Sequence, residues 1–205
     1  MLFFDCLLNP AACRPASGSV RSDAGFTLVE LMITLVVLGV VISMAAPSFS
    51  RMINSNRLTA ASNEVVAALQ VARMEAVRRN ASVVLCPSTD GAGCAGAVWR
   101  DFIVFADEDG DGTVDAGTDE IIRAVAIAEG GIVVNPSSNL ATNQRLRFGA
   151  DGFARVGNAG ARSGGLSVCS TDVPAAENTR DTLVAVSRIN VQIRNGTDAC
   201  SARQD

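Results

Sequence analysis

Apolar residues run almost without interruption through residues 26–46, close to the N-terminus. At about 1.5 Å of rise per residue, a helix of this length crosses the roughly 30 Å hydrocarbon core of a bilayer. A secretory signal peptide would have a shorter apolar region that ends in a small-residue cleavage site. The pattern therefore favours a membrane-spanning helix that reaches Pro47.

Beyond Pro47 the pattern changes from uniformly apolar to amphipathic through residues 48–80. Apolar side chains recur at spacings of three and four residues and so share one helix face. They are Leu58, Ala61, Val65, Ala68, Leu69, Ala72 and Ala76. We predict one long helix over residues 26–80, kinked at Pro47 because proline removes a backbone hydrogen bond. A separate short helix after a break at Pro47 is the alternative.

After residue 80 the chain changes to short runs rich in Val, Ile and Phe, separated by Gly, Asp, Asn, Ser and Pro. Such runs predict a β-rich globular domain, residues 81–205, built from antiparallel hairpins. The predicted strands are residues 82–86, 98–105, 120–127, 131–134, 145–148, 153–156, 166–169 and 182–193, the last in one or two pieces. FGADGF at residues 148–153 predicts a tight turn with positive φ at Asp151 and Gly152.

Glu30 is an acid inside the apolar run. Placing a charge in hydrocarbon costs roughly 2 to 3 kcal/mol even on lenient insertion scales, so an acid at this depth is a functional candidate that needs a partner. The surrounding sequence, GFTLVELMITLVVLGVVISMAAP at residues 25–47, resembles the prepilin signature of type IV pilins and pseudopilins. An ordinary single-pass anchor is the alternative.

This resemblance implies that residues 1–25 are a leader, cut after Gly25 by a prepilin peptidase, and that Phe26 becomes an N-methylated first residue. It also implies that Glu30 pairs with the α-amine of Phe26 on a neighbouring subunit. The leader is long for this family, and we hypothesise that translation begins at Val20 rather than at Met1, which leaves the compact leader VRSDAG.

Four further segments resemble one branch of the family, the FimT-type minor pilins and the GspH-type pseudopilins. They are LCPSTDGAGC at 85–94, WRDFIVFADEDGDG at 99–112, LRFGADGFA at 146–154 and LVAVSR at 183–188. The resemblance implies an α+β, pilin-like fold in which a long N-terminal helix packs on two small antiparallel β-sheets. The first half of that helix, residues 26–47, would span the membrane and enter the filament core.

Composition limits the classes of function. The chain has 205 residues and a formal net charge of −4, so it has no general attraction for nucleic acid or anionic lipid. Histidine is absent, which removes Ser-His and Cys-His nucleophile pairs. We therefore predict that the protein is not an enzyme; an anchored enzyme that uses paired carboxylates is the alternative.

Cysteine spacing indicates an exported domain. Cys86 and Cys94 flank a loop, and Cys169 and Cys200 bracket the last strand region, so we favour the pairs Cys86–Cys94 and Cys169–Cys200 over the other connectivities. Disulfides persist in the periplasm and not in the cytosol. A zinc site is the alternative, although it would need all four thiolates and no C-x-x-C spacing exists. The remaining cysteines, Cys6 and Cys13, precede the cut.

The stretch DEDGDGTVDAGTDE at residues 107–120 resembles a calcium loop. Side-chain oxygens follow the EF-hand order at Asp107, Asp109, Asp111, Thr113 and Asp115. The bidentate acid that closes an EF-hand loop falls on Thr118 instead, and Glu120 comes two residues late. A solvated turn between strands is the favoured interpretation, with weak Ca²⁺ binding as the alternative; no other cofactor is expected.

DNA is a further candidate partner. FimT-type pilins implicated in DNA uptake carry a G-R-x-R motif, and its glycine and first arginine have no match here. Arg188 and Arg194 remain and would share one face of a strand, which predicts weak, salt-sensitive binding at most. The favoured alternative is that both arginines are solvated strand residues or pair with local acids such as Asp181 and Asp198.

These observations predict a minor pilin that is incorporated into, or primes, a type IV pilus for twitching, adhesion or DNA uptake. A GspH-type minor pseudopilin of a type II secretion system is the first alternative, and a DNA-binding minor pilin for natural transformation is the second. The expected partners are the prepilin peptidase, other pilins or pseudopilins, and the inner membrane. The chain would cross that membrane once, with its C-terminal domain in the periplasm.

Overall fold

The computed structural model describes residues 25–127, 131–157, 160–197 and 199–205. The leader assignment of residues 1–24, the start at Val20, and Cys6 and Cys13 lie outside the described residues. By its internal contacts the chain divides into two compact units, one ending at Met44 and one covering Ala45–Asp205.

Helix α1 (Leu28–Arg79) runs through the apolar and the amphipathic segments, with Pro47 inside it. The helix is continuous across Pro47, so the alternative of a separate helix after this residue is wrong; the kink stays a prediction. In the unit ending at Met44 the large apolar side chains are exposed. By length and composition alone, this helix is able to cross a membrane.

In the unit Ala45–Asp205, α1 buries the face that the spacing predicts. The buried residues are Leu58, Ala61, Ser62, Val65, Ala68, Leu69, Ala72 and Ala76, of which only Ser62 was not expected. Because four of these eight side chains are alanines and a fifth is serine, strands can pack close to the helix axis. The stripe belongs to one core with apolar residues from both sheets, including Val83, Phe102, Leu166 and Val184.

The β-domain consists of two antiparallel sheets. The strands are β1 (Ser82–Pro87), β2 (Asp101–Asp107), β3 (Glu120–Ala126), β4 (Ile132–Pro136), β5 (Leu146–Phe148), β6 (Ala154–Val156), β7 (Ser163–Ser170), β8 (Thr179–Ala185) and β9 (Arg188–Arg194). One sheet has the order β3-β2-β1-β5-β6 and the other β4-β7-β8-β9. A short helix, α2 (Ser138–Ala141), follows β4. A long helix packed on two antiparallel sheets is the α+β fold that the family resemblance implied.

The predicted strand at 182–193 is two strands, β8 and β9, which reverse direction at Val186 and Ser187. The positive φ predicted at Asp151 is wrong: in the β5–β6 turn it occurs only at Gly152, with φ +70°. The Gly152 N–H donates to the Gly149 carbonyl at 2.8 Å, and the Gly149 N–H donates to the Phe153 carbonyl at 3.1 Å. This is a three-residue hairpin loop in which a single left-handed glycine closes the turn.

The five-stranded sheet is buried on both faces at β1 and β2. Val83, Leu85, Phe102 and Val104 belong to the core with α1. The alternate residues Val84, Cys86, Ile103 and Phe105 form a second cluster on the opposite face, against which Cys94 and Val114 pack. The β2–β3 loop therefore folds back over the outer face of the sheet and is anchored there by Val114.

The structure joins Cys86 to Cys94 and Cys169 to Cys200, which is the pairing that the sequence favoured. The first disulfide closes a local loop over the outer sheet face. The second connects β7 to the C-terminal segment across a sequence separation of 31 residues.

We expect the loss of the Cys169–Cys200 disulfide to lower stability more than the loss of Cys86–Cys94. In the loop-entropy treatment, the separations of 31 and 8 residues correspond to about 3.7 and about 2.5 kcal/mol of unfolding free energy. Urea unfolding of the two double-alanine variants, followed through the fluorescence of the single tryptophan, Trp99, measures this difference. A larger loss in the Cys86→Ala, Cys94→Ala variant would contradict it.

Candidate functional site

The start of α1 is closed by a side-chain cap. Thr27 Oγ1 accepts a hydrogen bond from the Glu30 backbone N–H at 3.2 Å, and the Thr27 carbonyl accepts one from the Leu31 N–H at 3.1 Å. Thr27 and Glu30 thus have the spacing of a capping box, in which the acid lies in the first helical turn, next to the positive end of the helix dipole. The T-x-x-E pattern of Thr27 and Glu30 is the sequence signal for this cap, which was not among the features predicted above.

The Glu30 side chain is exposed and makes no hydrogen bond or ion pair with any residue that the structure describes. Gly25 and Phe26, on either side of the expected cleavage site, are exposed as well. A Cβ added at Gly25 would meet nothing within 4 Å. The fold of this chain therefore does not itself demand glycine at position 25.

Two groups of carboxylates meet in the β2–β3 loop. Carboxylate oxygens of Asp107, Asp109 and Asp119 lie within 4.8 Å of one another, and so do those of Asp109, Asp111 and Asp115. Asp119 is not among the ligands that the sequence predicts, because the EF-hand spacing places the closing acid at Thr118, one residue earlier. Glu120 points elsewhere: its carboxylate forms an ion pair with Arg79 of α1 at 2.7 Å. Thr113, an expected ligand, donates its hydroxyl to Asp111 Oδ1 at 2.7 Å.

The two groups differ in their surroundings. Hydrogen bonds from the Thr113 backbone N–H and hydroxyl lower the pKa of Asp111. The neighbouring charge of Asp111 raises the pKa of Asp115, with smaller contributions from burial and from Asp109 and Asp119. Asp107, by contrast, is 1% exposed at the end of β2. The loop is therefore not a uniformly solvated turn, because one of its acids belongs to the interior.

The two candidate DNA contacts on β9 have different roles. Arg194 donates from Nε to Asp181 Oδ2 at 2.6 Å and from Nη2 to Asp181 Oδ1 at 3.2 Å. Asp181 is fully buried on β8, so Arg194 neutralises an interior carboxylate, as the alternative interpretation expected. Arg188 is exposed, and the other suggested acid, Asp198, lies outside the described residues. Arg194 can contact a phosphate only if it leaves Asp181, and the buried carboxylate of Asp181 would then lose this partner.

Comparison with known families gives two matches. Residues 61–189 match the family described as type II transport protein GspH. Residues 20–46 match the prokaryotic N-terminal methylation motif. The first segment covers the last part of α1 and most of both sheets, and the second covers the expected cleavage site and the first part of α1.

Among individual proteins, the chain is 31% identical over 132 residues to the pilin-like protein PilA1 of Thermus thermophilus. The aligned residues make up 63% of this chain and 78% of PilA1. The crystal structure of the type IV minor pilin FimU of Pseudomonas aeruginosa in space group P21 is 17% identical. The match covers 72% of this chain and 97% of the crystallised FimU chain, with a TM-score of 0.48. A second crystal form of FimU gives 16% identity and a TM-score of 0.46.

Proposed function

Because the chain belongs to the GspH family of pilin-like proteins and carries the N-terminal methylation motif, we propose that it is a minor subunit of a type IV pilus. The observation that carries the proposal is the methylation motif on a capped, apolar helix whose acid has no partner among the described residues. Prepilin processing and assembly with other pilins follow from the motif. The family is one of structural subunits, and the proposed role is likewise structural.

The exposed apolar side chains of residues 26–44 explain how the subunit would pass from membrane to filament. In water such a surface would be strongly unfavourable, so it must be covered by lipid before assembly and by neighbouring helices afterwards. Anchoring in the inner membrane, with the unit Ala45–Asp205 in the periplasm, fits this requirement. The helix serves as an anchor in one state and as part of the filament core in the other.

Glu30 supplies specificity to this assembly. In an apolar filament core the carboxylate would be stabilised by the cationic α-amine of Phe26 on the neighbouring subunit, because a low dielectric strengthens the pair. Cleavage after Gly25 is what creates that amine. Processing and assembly are thereby coupled, since an uncleaved subunit offers no cation at this position.

We expect Glu30→Val to leave cleavage intact and to reduce recovery of the protein in sheared filaments by at least about tenfold. A tenfold reduction corresponds to the loss of about 1.4 kcal/mol of free energy from the pair between Glu30 and the neighbouring α-amine. The Thr27 cap uses the backbone N–H of residue 30, so the helix start is retained in the variant. Immunoblots of membrane and sheared fractions measure both steps. Glu30→Asp, which keeps the charge, is the matched control, and equal recovery of Glu30→Val and wild type would exclude the proposed role.

The GspH match favours a second candidate, a minor pseudopilin in the short filament of a type II secretion system. A deletion strain, complemented with the wild-type chain or with Glu30→Val, separates the two. Loss of surface filaments and twitching with normal protein secretion supports the pilus. Retention of pili with secreted proteins trapped in the periplasm supports the secretion system and contradicts our first choice.

A further inference from the structure

The Asp107 carboxylate is the least expected feature of the β2–β3 loop. Asp107 is 1% exposed, and its Oδ2 atom is buried with no hydrogen-bond partner among the described residues. Its Oδ1 atom accepts hydrogen bonds from the backbone N–H groups of Gly110 and Gly112, at 3.0 and 3.1 Å. One oxygen thus orders the loop, while the other is shielded from solvent and unused.

A buried carboxylate needs a compensating charge. Ionised carboxylates are rarely found in protein interiors unless they are paired or bind a metal. Asp107 forms no ion pair within the described residues, and the hydroxyl of Ser82, opposite it on β1, does not donate to it. The groups around it are instead acidic, since Asp109 and Asp119 bring their carboxylate oxygens to within 4.8 Å.

We propose that Asp107, Asp109 and Asp119 bind a divalent cation, and that the cation is Ca²⁺. The donor set consists only of oxygens, which suits Ca²⁺ or Mg²⁺ and not zinc or copper. Ca²⁺ takes about six to eight oxygen ligands in flexible geometry, whereas Mg²⁺ demands near-ideal octahedral geometry and usually keeps several waters. Three carboxylates of one irregular loop, each with an oxygen within 4.8 Å of the others, therefore suit Ca²⁺ better.

The second carboxylate group is the weaker site. All three of its acids are exposed, whereas the first group contains the buried Asp107. Hydrogen bonding does not separate the groups, because Asp111 accepts bonds from Thr113 and Asp119 accepts backbone bonds from Glu108 and Asp115. The Arg145 side chain also lies on this side of the loop: a Cβ added at Gly112 would meet Arg145 Cδ at 3.6 Å. A guanidinium there competes with a metal ion for Asp111. The ion is therefore assigned to the group that contains the buried acid.

Bound Ca²⁺ would join the two ends of the loop. Asp107 ends β2, and Asp119 immediately precedes β3. Between them Val114 packs on the outer cluster of the sheet. A cation that binds both ends would hold the β2–β3 loop against the outer face of the sheet. Ca²⁺ binding should therefore raise the stability of the folded chain.

The test uses the full chain, solubilised in detergent and freed of divalent ions with a chelator. Calorimetric titration should detect Ca²⁺ binding with a dissociation constant of roughly 10⁻⁴ to 10⁻³ M, the range of extracellular calcium modules. Saturating Ca²⁺ should raise the unfolding temperature by about 2 °C or more, and Mg²⁺ at the same concentration should have a smaller effect.

Variants locate the ion. Asp109→Asn with Asp119→Asn should weaken Ca²⁺ binding by at least tenfold and remove the thermal shift. Its unfolding temperature in chelator serves as the folding check, and Asp109→Asn alone replaces it if the double variant does not fold. Asp90→Asn is the matched control, because Asp90 is an exposed acid that holds another turn through backbone N–H groups of Ala92 and Gly93. Absence of binding to the wild-type chain, equal loss in Asp90→Asn, or loss only in Asp111→Asn with Asp115→Asn would overturn the assignment.

Discussion

A Gly25→Leu chain is expected to accumulate as the uncleaved precursor and to be absent from filaments. The peptidase must bring the peptide bond before Phe26 up to its catalytic groups, and glycine allows the closest backbone approach. Folding does not require glycine at this position, because a Cβ added at Gly25 meets nothing within 4 Å. Any defect in the variant should therefore arise at processing and not in the stability of the chain.

Mass spectrometry of the N-terminus in membrane fractions measures the cleaved and uncleaved forms. Gly39→Leu is the matched control, since Gly39 lies in the same apolar segment and a Cβ added there also meets nothing within 4 Å. We expect Gly39→Leu to be cleaved like the wild type. Normal cleavage of Gly25→Leu would contradict prepilin processing at this site.

Replacing Arg194 with alanine is expected to cost the unit Ala45–Asp205 about 3 kcal/mol, the lower end of the range for breaking a buried ion pair. Asp181 is fully buried and would lose its two hydrogen bonds from Arg194. Arg203, with Nη1 at 3.5 Å from Asp181 Oδ2, compensates in part, which is why the lower end applies. A loss of this size would remove a large fraction of the stability of a typical domain.

Urea unfolding of the detergent-solubilised chain, followed through Trp99, measures the change. Arg188→Ala, at the other end of the same exposed strand, should change stability by less than about 0.5 kcal/mol. In a double-mutant cycle, Asp181→Asn with Arg194→Ala should recover part of the loss, because the remaining amide carries no charge. Equal stability of Arg194→Ala and wild type would show that the pair is unimportant.

The same experiment bears on DNA. If Arg194→Ala reduced DNA binding, the loss would reflect destabilisation of β8 and β9 as readily as a missing phosphate contact. Arg188→Ala is the cleaner probe, because its side chain is exposed and the fold does not depend on it. Sequence spacing placed the two arginines on one strand face but could not show that only one is free to contact a ligand.

Prediction from sequence succeeded where the signal is local and periodic. The three-and-four spacing from Leu58 to Ala76 identified the buried face of α1, because a helix places such residues on one side whatever packs against it. The strands were located to within a few residues because short runs rich in Val, Ile and Phe, bounded by turn residues, are also a local signal. The Asp151 turn was misread, since two-residue and three-residue hairpin loops differ by one residue of register, which short-range sequence does not specify.

The sequence by itself determined the apolar helix and the prepilin motif with Gly25, Phe26 and Glu30, and it favoured the cysteine pairs that the structure shows. Only the tertiary structure brought Asp119 to Asp107 and placed Arg194 against Asp181. Asp181 lies opposite Gln192 in the β8–β9 register, so Arg194 reaches it diagonally across the strands. Strand register and the path of the β2–β3 loop are set by core packing, including Val114 on the outer sheet face, and side chains far apart in sequence meet only after those contacts have formed.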